Sequence, residues 1–238
     1  MSPNLEMQVN KTQAGLYTVT YGRKEAPLDV QESAFAVNGL AIVSPSQLGF
    51  LRAQGGTGTF MPYSRTNADV FCDDRHNQVV IVPDEAISKL VGIDSLVDAH
   101  RQGKEYVIPK NQRDLVYAMV DKMLENGRAF ATKYGDHSID TSRFGEDGLT
   151  DIMFSDPSLG ISAADYGAWL KDQGRGTQSI FFDGKEYATK QVGPYLNRLR
   201  VLGPDGDFGA YGGRFLDDNV GAFGVRFEKA TEGGAKKS

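Results

Sequence analysis

Apolar and polar residues alternate over Leu16–Tyr21 (LYTVTY), the period of a half-buried strand. Two short apolar runs, Phe35–Val37 and Leu40–Val43, flank Asn38-Gly39. Both of those residues tolerate the positive φ of a type I′ turn, so the pattern predicts a hairpin there. Ser44-Pro45-Ser46-Gln47 supplies a capping hydroxyl, a proline for the first helical position and an amide three residues on, which predicts a short helix to about Ala53. Val79–Val82 reads as a buried strand, Asp84–Val91 as a helical segment opened by Pro83 and ended by Gly92, and Tyr106–Ile108 as a brief extended piece. Past Asn111, Leu115, Val116, Met119, Val120, Met123 and Leu124 recur on one face at 3.6 residues per turn, and Asn126-Gly127 stops the helix. The methionines on that face read as core packing, not as a soft binding surface.

The texture changes after Gly160. Ser162 caps a predicted helix over Ala163–Asp172 with Trp169 and Leu170 on its apolar side and Gly174 at its close. Ser179–Phe182 and Lys185–Thr189 flank Asp183-Gly184, a second hairpin signature. Strand candidates Arg198–Leu202, Arg214–Leu216 and Ala222–Glu228 follow, joined by glycine-rich chain. Seven glycines from Gly203 to Gly224 exclude a helix and imply close backbone approach and tight turns. The pattern as a whole predicts an α+β fold with helices packed on a loop-rich antiparallel sheet.

Length and composition narrow this further. The chain has 238 residues, 40% apolar, with no Pro/Ser/Gly-rich linker in its middle, so a single domain over 1–230 with a frayed tail at 231–238 is expected. The net charge of -5 has the wrong sign for broad contact with phosphate backbones, so nucleic acid is not an expected partner. No run approaches the roughly 18 apolar residues of a membrane span, and Met1–Asn10 lacks the basic and apolar regions of a Sec signal peptide. With Cys72 alone there is no intrachain disulfide and no thiolate-rich metal site.

Candidate chemistry in the first two-thirds is thin. His76, His100 and His137 lack metal-ligand spacing, so neither a metal nor a cofactor is expected. Cys72 and His76 stand too close in sequence for a nucleophile and base to align readily. Gly55-Gly56-Thr57-Gly58-Thr59 resembles a phosphate-cradling loop without its lysine and reads as a flexible connection. Asp136, Asp140, Glu146, Asp147 and Asp151 form an acidic stretch without the EF-hand pattern; calcium is open there, solvated loop being the commoner reading. No nucleophile, base and oxyanion donors gather, and an enzyme is not expected.

The informative stretch is Gly193–Phe227 (GPYLNRLRVLGPDGDFGAYGGRFLDDNVGAFGVRF). Small and apolar letters alternate there with Tyr195, Asn197, Asp205, Asp207, Phe208, Tyr211, Asp217, Asp218 and Asn219. Tyrosine offers rigid contact area and Asn or Asp adaptable hydrogen bonds, so these nine are the candidate ligand-binding residues. The rival reading is a glycine-rich β-region whose Asp and Asn residues fill turns, as Gly203-Pro204-Asp205-Gly206 does under either view. Arg198, Arg200, Arg214 and Arg226 read as structural braces, with Asp217 and Asp218 as available carboxylates.

This stretch resembles the C-terminal variable region of the target proteins of diversity-generating retroelements, in an archaeal or viral branch. Gly224-Val225-Arg226-Phe227, after Gly221-Ala222-Phe223, looks like the closing strand of that region, and the interleaved Asn, Asp, Tyr and Gly are among the outcomes of adenine-directed mutagenesis. The resemblance covers about the last 60 residues. It implies a C-type lectin-like fold of the formylglycine-generating-enzyme subtype, with 193–227 as a variable ligand-binding region. The GGSW motif of bacterial members is missing, as are the paired cysteines of the enzymes and the Trp-Asn-Asp and Glu-Pro-Asn motifs of animal lectins.

The resemblance therefore implies a receptor-recognition protein for a protein or cell-surface ligand, displayed on a virion tail fibre or a cell surface, with a homo-oligomer open. Leu199, Val201, Phe215, Phe223, Val225 and Phe227 would anchor the display. The alternative is a virion structural protein whose glycine-rich region makes subunit contacts.

Overall fold

The computed structural model describes residues 4–55, 58–104, 106–182, 193–201, 209–213 and 220–229. The chain opens with a hairpin, β1 (Val9–Ala14) and β2 (Tyr17–Glu25), followed by α1 (Leu28–Val37), β3 (Ala41–Ile42) and α2 (Pro45–Gln54). A long central strand β4 (Ser64–Asp73) pairs with β5 (Gln78–Val82), and then come α3 (Ala86–Val91), α4 (Ile93–Arg101), β6 (Tyr106–Val107), α5 (Lys110–Glu125) and β7 (Phe130–Thr132). β8 (Gly135–Asp140), a 3-10 turn, α6 (Gly148–Phe154) and α7 (Ala163–Asp172) lead into the last four strands. Those are β9 (Thr177–Phe182), β10 (Tyr195–Val201), β11 (Gly209–Gly213) and β12 (Gly221–Lys229).

One sheet runs β1-β2-β12-β4-β10-β11-β9-β8, with β5 and β7 continuing from β4, β3 on β12 and β6 on β10. Its pairings are antiparallel except β11 with β9 and the single Ala222–Arg65 match of β12 with β4. Strand residues alternate between two cores. Val70, Cys72, Val79, Ile81, Tyr195, Leu199, Phe223 and Val225 face α2, α6 and α7, whose Leu48, Leu51, Met153, Phe154, Tyr166 and Leu170 complete the first core. Phe71, Val80, Val82, Leu196 and Ala222 face α1, α3, α4 and α5, with Leu28, Phe35, Ile87, Leu96, Val116 and Val120. Helices on both faces make β4 and β10 buried on both sides, which is why they carry so few exposed residues.

Several local expectations hold. α2 begins with a full capping box: Ser44 Oγ accepts from Gln47 N at 3.1 Å and Gln47 Oε1 accepts from Ser44 N at 3.1 Å. α7 spans the expected residues, with Ser162 Oγ accepting from Ala164 N. α5 buries Val116, Val120 and Met123, but Leu115 lies on its solvent side.

The hairpin expected at Asn38-Gly39 is a helix terminus instead. Leu28, Gln31, Ala34 and Phe35 are buried at helical spacing in α1, and Gly39, at φ +64°, closes it with two bonds: Gly39 N to Ala36 O at 3.0 Å and Leu40 N to Phe35 O at 2.9 Å. An Asn-Gly pair serves a helix end, with only the glycine left-handed, as readily as a hairpin, and the apolar spacing before it decides between them. Seven elements had no prediction: β1, whose residues are mostly polar, the central strand β4, α4, which follows Gly92 directly, β7, β8, α6 and β11. The hairpin expected around Asp183-Gly184, the strand expected over Arg214–Leu216 and the tail lie outside the described residues.

Candidate functional site

β10 is the root of the candidate binding region. It pairs with β4, β6 and β11 at once, matching Tyr195 with Cys72 and Val107, Asn197 with Val70, and Arg198 with Asp69. Tyr195 and Asn197, both expected at a ligand surface, are each 2% exposed. They point into the first core beside Leu199 because a strand flanked by neighbours and covered on both faces leaves no side chain for a ligand. Asn197 Oδ1 is buried without a hydrogen-bond partner.

Tyr211 stands on β11, its backbone opposite Arg200 of β10 and beside Phe181 of β9. The other candidates, Asp205, Asp207, Phe208, Asp217, Asp218 and Asn219, lie outside the described residues. The chain leaves β10 at Val201, opposite Ser64, and rejoins the sheet at Gly209, beside Ser179 of β9, with Ala210 opposite Val201. It enters β12 at Gly221, opposite Glu25, close to where Ala222 matches Arg65. All these points gather at the sheet end where β4 begins.

Side chains from the first third of the chain hold the backbone at these points. Gln31, fully buried, donates from Nε2 to Val220 O and, at 3.0 Å, to Lys24 O, while its Oε1 accepts from Arg65 Nη1 at 2.6 Å. Ser64 Oγ accepts from Phe223 N at 3.2 Å, and Thr66 Oγ1 donates to Leu199 O at 2.9 Å. At the other end of β10, Ile108 N donates to Pro194 O at 2.8 Å. Gly193 there sits at φ +147°, which favours glycine, and a side chain at it would have to displace the Arg113 guanidinium.

Behind β10, on the second face, Arg198 is 1% exposed. Its Nε lies 3.3 Å from Asp69 Oδ1, an ion pair without hydrogen-bond geometry, and its Nη2 is 3.3 Å from Glu85 Oε2 and 3.7 Å from Glu32 Oε1. Asp69 Oδ2 accepts from Ile87 N and Ser88 N, both at 2.9 Å. Burial raises the Asp69 carboxyl to about 6, although Arg198 and these amides pull it down. The expected brace at Arg198 is thus present, with Asp69, Glu85 and Glu32 as its carboxylates. Arg226 braces Glu228 at 3.0 Å on the surface.

The remaining chemistry is structural where it is described. Cys72 is in the first core, whereas His76 is on an exposed turn bonded to Asp73 at 2.9 Å, so the two do not form a nucleophile pair. The acidic stretch is not one loop. Asp136 is on β8, Asp140 caps the 3-10 turn, Asp147 caps α6 and Asp151 holds Ser155 at 2.6 Å. Among the described residues no three His, Cys, Asp or Glu side chains gather to hold a metal, and no helix is long and apolar enough to cross a membrane.

No family model matches the chain, and no curated protein matches it in sequence. A solved structure, reported as the accommodation of massive sequence variation in Nanoarchaeota by the C-type lectin fold, does match. It covers 94% of this chain and 100% of that one, at a TM-score of 0.55 and 14% identity. Identity that low carries the fold alone. The chain has a C-type lectin fold.

Gln31, Ser64, Arg65, Thr66 and the carboxylates around Arg198 were not foreseen as part of this region. Each lies far from 193–227 in sequence, and nothing in its local pattern marked it.

Proposed function

We propose that this protein is a non-enzymatic ligand-binding protein whose C-terminal stretch presents variable side chains to a protein or cell-surface ligand. Asp205, Asp207, Phe208, Tyr211, Asp217, Asp218 and Asn219 make the contacts; Tyr195 and Asn197 do not, being part of the support. The contact residues other than Tyr211 fall in the stretches 202–208 and 214–219, between strands whose backbone is held by Gln31, Ser64 and Thr66. That arrangement is the observation that carries the reading, because side chains can change there without removing the bonds that fix the frame. The likeness to a fold that accommodates sequence variation in another protein supports it. In this reading a diversity-generating retroelement rewrites the stretch, the fold is of the formylglycine-generating-enzyme subtype, and the setting is a virion tail or a cell surface.

The test is deep sequencing of the 3′ end of the gene in its source population, together with the adjoining DNA. Substitutions at 202–219 with none at Tyr195–Val201, beside an invariant near-copy and a reverse transcriptase gene, are the expected result. A uniform stretch without a second copy, or variation spread equally through Tyr195–Val201, refutes the reading.

A further inference from the structure

The charges around Arg198 do not balance. Asp69, Glu32 and Glu85 face Arg198 and Lys89, three carboxylates against two cations, so the fully ionised cluster carries one uncompensated negative charge. Lys89 Nζ is taken by Glu85 at 2.5 Å. Glu32 Oε1 is buried without a hydrogen bond, and it shares Arg198 Nη2 with Glu85 Oε2, at 3.7 Å and 3.3 Å. Two carboxylates gathered on one buried guanidinium nitrogen repel each other, and a proton on one of them relieves that repulsion.

Of the cations on the elements packed around this pair, Arg65 of β4 donates to Gln31 Oε1 at 2.6 Å and to Ala26 O at 3.4 Å. On α1 itself Asp29 is paired with Arg101 of α4 at 2.9 Å. Lys24 of β2 turns its ammonium to Glu6 O at 2.8 Å, and His100 of α4 is 6% exposed.

We propose that the Glu32–Glu85 carboxyl pair is a proton-operated latch that fastens α1, and with it the Gln31 bond to Val220, onto β10. Glu32 follows Gln31 directly in α1, so the residue that takes the proton is next to the residue that holds the start of β12. Burial raises the Glu32 carboxyl to about 7, against the pull of Arg198 and with the push of Glu85. Burial also pushes Glu85 up, but Lys89 and Arg198 outweigh it and hold that carboxyl low. A carboxyl raised in the folded state stabilises fully below its ordinary value and loses that contribution as pH rises through the raised one. The latch is therefore closed in mild acid and loosens as pH rises through neutrality. The inference does not depend on the ligand reading, and its test uses no ligand.

Amide hydrogen exchange of the full chain, from about pH 5.5 to about pH 8.5, is compared between the protein and Glu32→Gln at each pH, which cancels the intrinsic pH dependence of exchange. The expected ratio of wild-type to variant exchange is near one in acid and rises about tenfold by the alkaline end, in Leu28–Val37 and Val220–Ala222. α7, on the opposite face, should not change. A ratio flat with pH, or an equal rise in α7, overturns the latch, the second because it reports global destabilisation. If Glu32→Gln does not fold, Glu85→Gln takes its place with the same expectation. Carboxyl carbon titration of Glu32 in the unmodified protein is decisive either way: a midpoint near neutrality supports the latch, and one at the ordinary glutamate value overturns it.

Discussion

Replacing Arg198 by methionine keeps the length and apolar stem of the side chain but removes the cation from a site 1% exposed. Asp69, fully buried, then keeps only the Ile87 and Ser88 amides, and Glu32 and Glu85 keep only Lys89. Breaking a buried ion pair from one side costs about 3–5 kcal/mol, and with three carboxylates left facing one cation the expected loss at pH 8 is on the order of 4 kcal/mol. The pH dependence follows from Asp69. Its carboxyl already stands at about 6 against an ordinary 3.8, so its favourable contribution is complete below 3.8 and is lost as pH rises through about 6. Without Arg198 that carboxyl rises further, and the variant's stability falls more steeply from acid to alkaline pH. Asp69→Asn retains an oxygen for the two amides, so Arg198→Met in that background should lose most of its penalty. Urea unfolding of the four members of this cycle, at about pH 5 and about pH 8, measures the interaction energy directly. The reasoning is refuted if Arg198→Met costs less than about 1 kcal/mol at pH 8, costs the same at both values, or adds independently to Asp69→Asn.

Other positions give sharper local tests. Gly193→Ala combines a disfavoured φ of +147° with overlap of Arg113 and should cost about 2–4 kcal/mol by chemical denaturation. Adding Arg113→Ala should recover only the steric share. Gln31→Leu leaves Val220 O and Lys24 O without this donor and removes the Gln31 acceptor from Arg65, for an expected loss of about 2–4 kcal/mol, with faster amide exchange at Gly221–Phe223 as the local signature. Ser44→Ala removes the α2 cap and should cost about 1 kcal/mol, read as a small fall in Tm; no change would mean that α2 is held by its Leu48 and Leu51 contacts alone.

Legibility in the sequence followed how local each determinant is. The capping box at Ser44, the stop at Gly174 and the apolar spacing of α5 are decided within one or two helical turns, and each was readable there. Asn38-Gly39 was read as a hairpin turn and is a helix end, because its two uses differ in what precedes them and not in the pair itself. β1 carried no signal, since a polar edge strand with one partner has no apolar face to alternate.

The candidate site divides the same way. Composition drew attention to Gly193–Phe227, and its glycine density alone excluded a helix. It did not separate Tyr195 and Asn197, which are core, from the residues beyond Val201. That distinction depends on β4, β6 and β11 closing around β10, and on helices covering both faces. Nor did sequence order show that Gln31, Ser64 and Thr66 hold Val220, Phe223 and Leu199, or that Glu32, Asp69 and Glu85 converge on Arg198. Periodicity and capping are properties of neighbours along the chain, so the sequence determined α2, α5, α7 and a glycine-rich stretch by itself. Burial and charge pairing are properties of neighbours in space, and only the tertiary structure decided which of those side chains face the core and which elements hold the stretch in place.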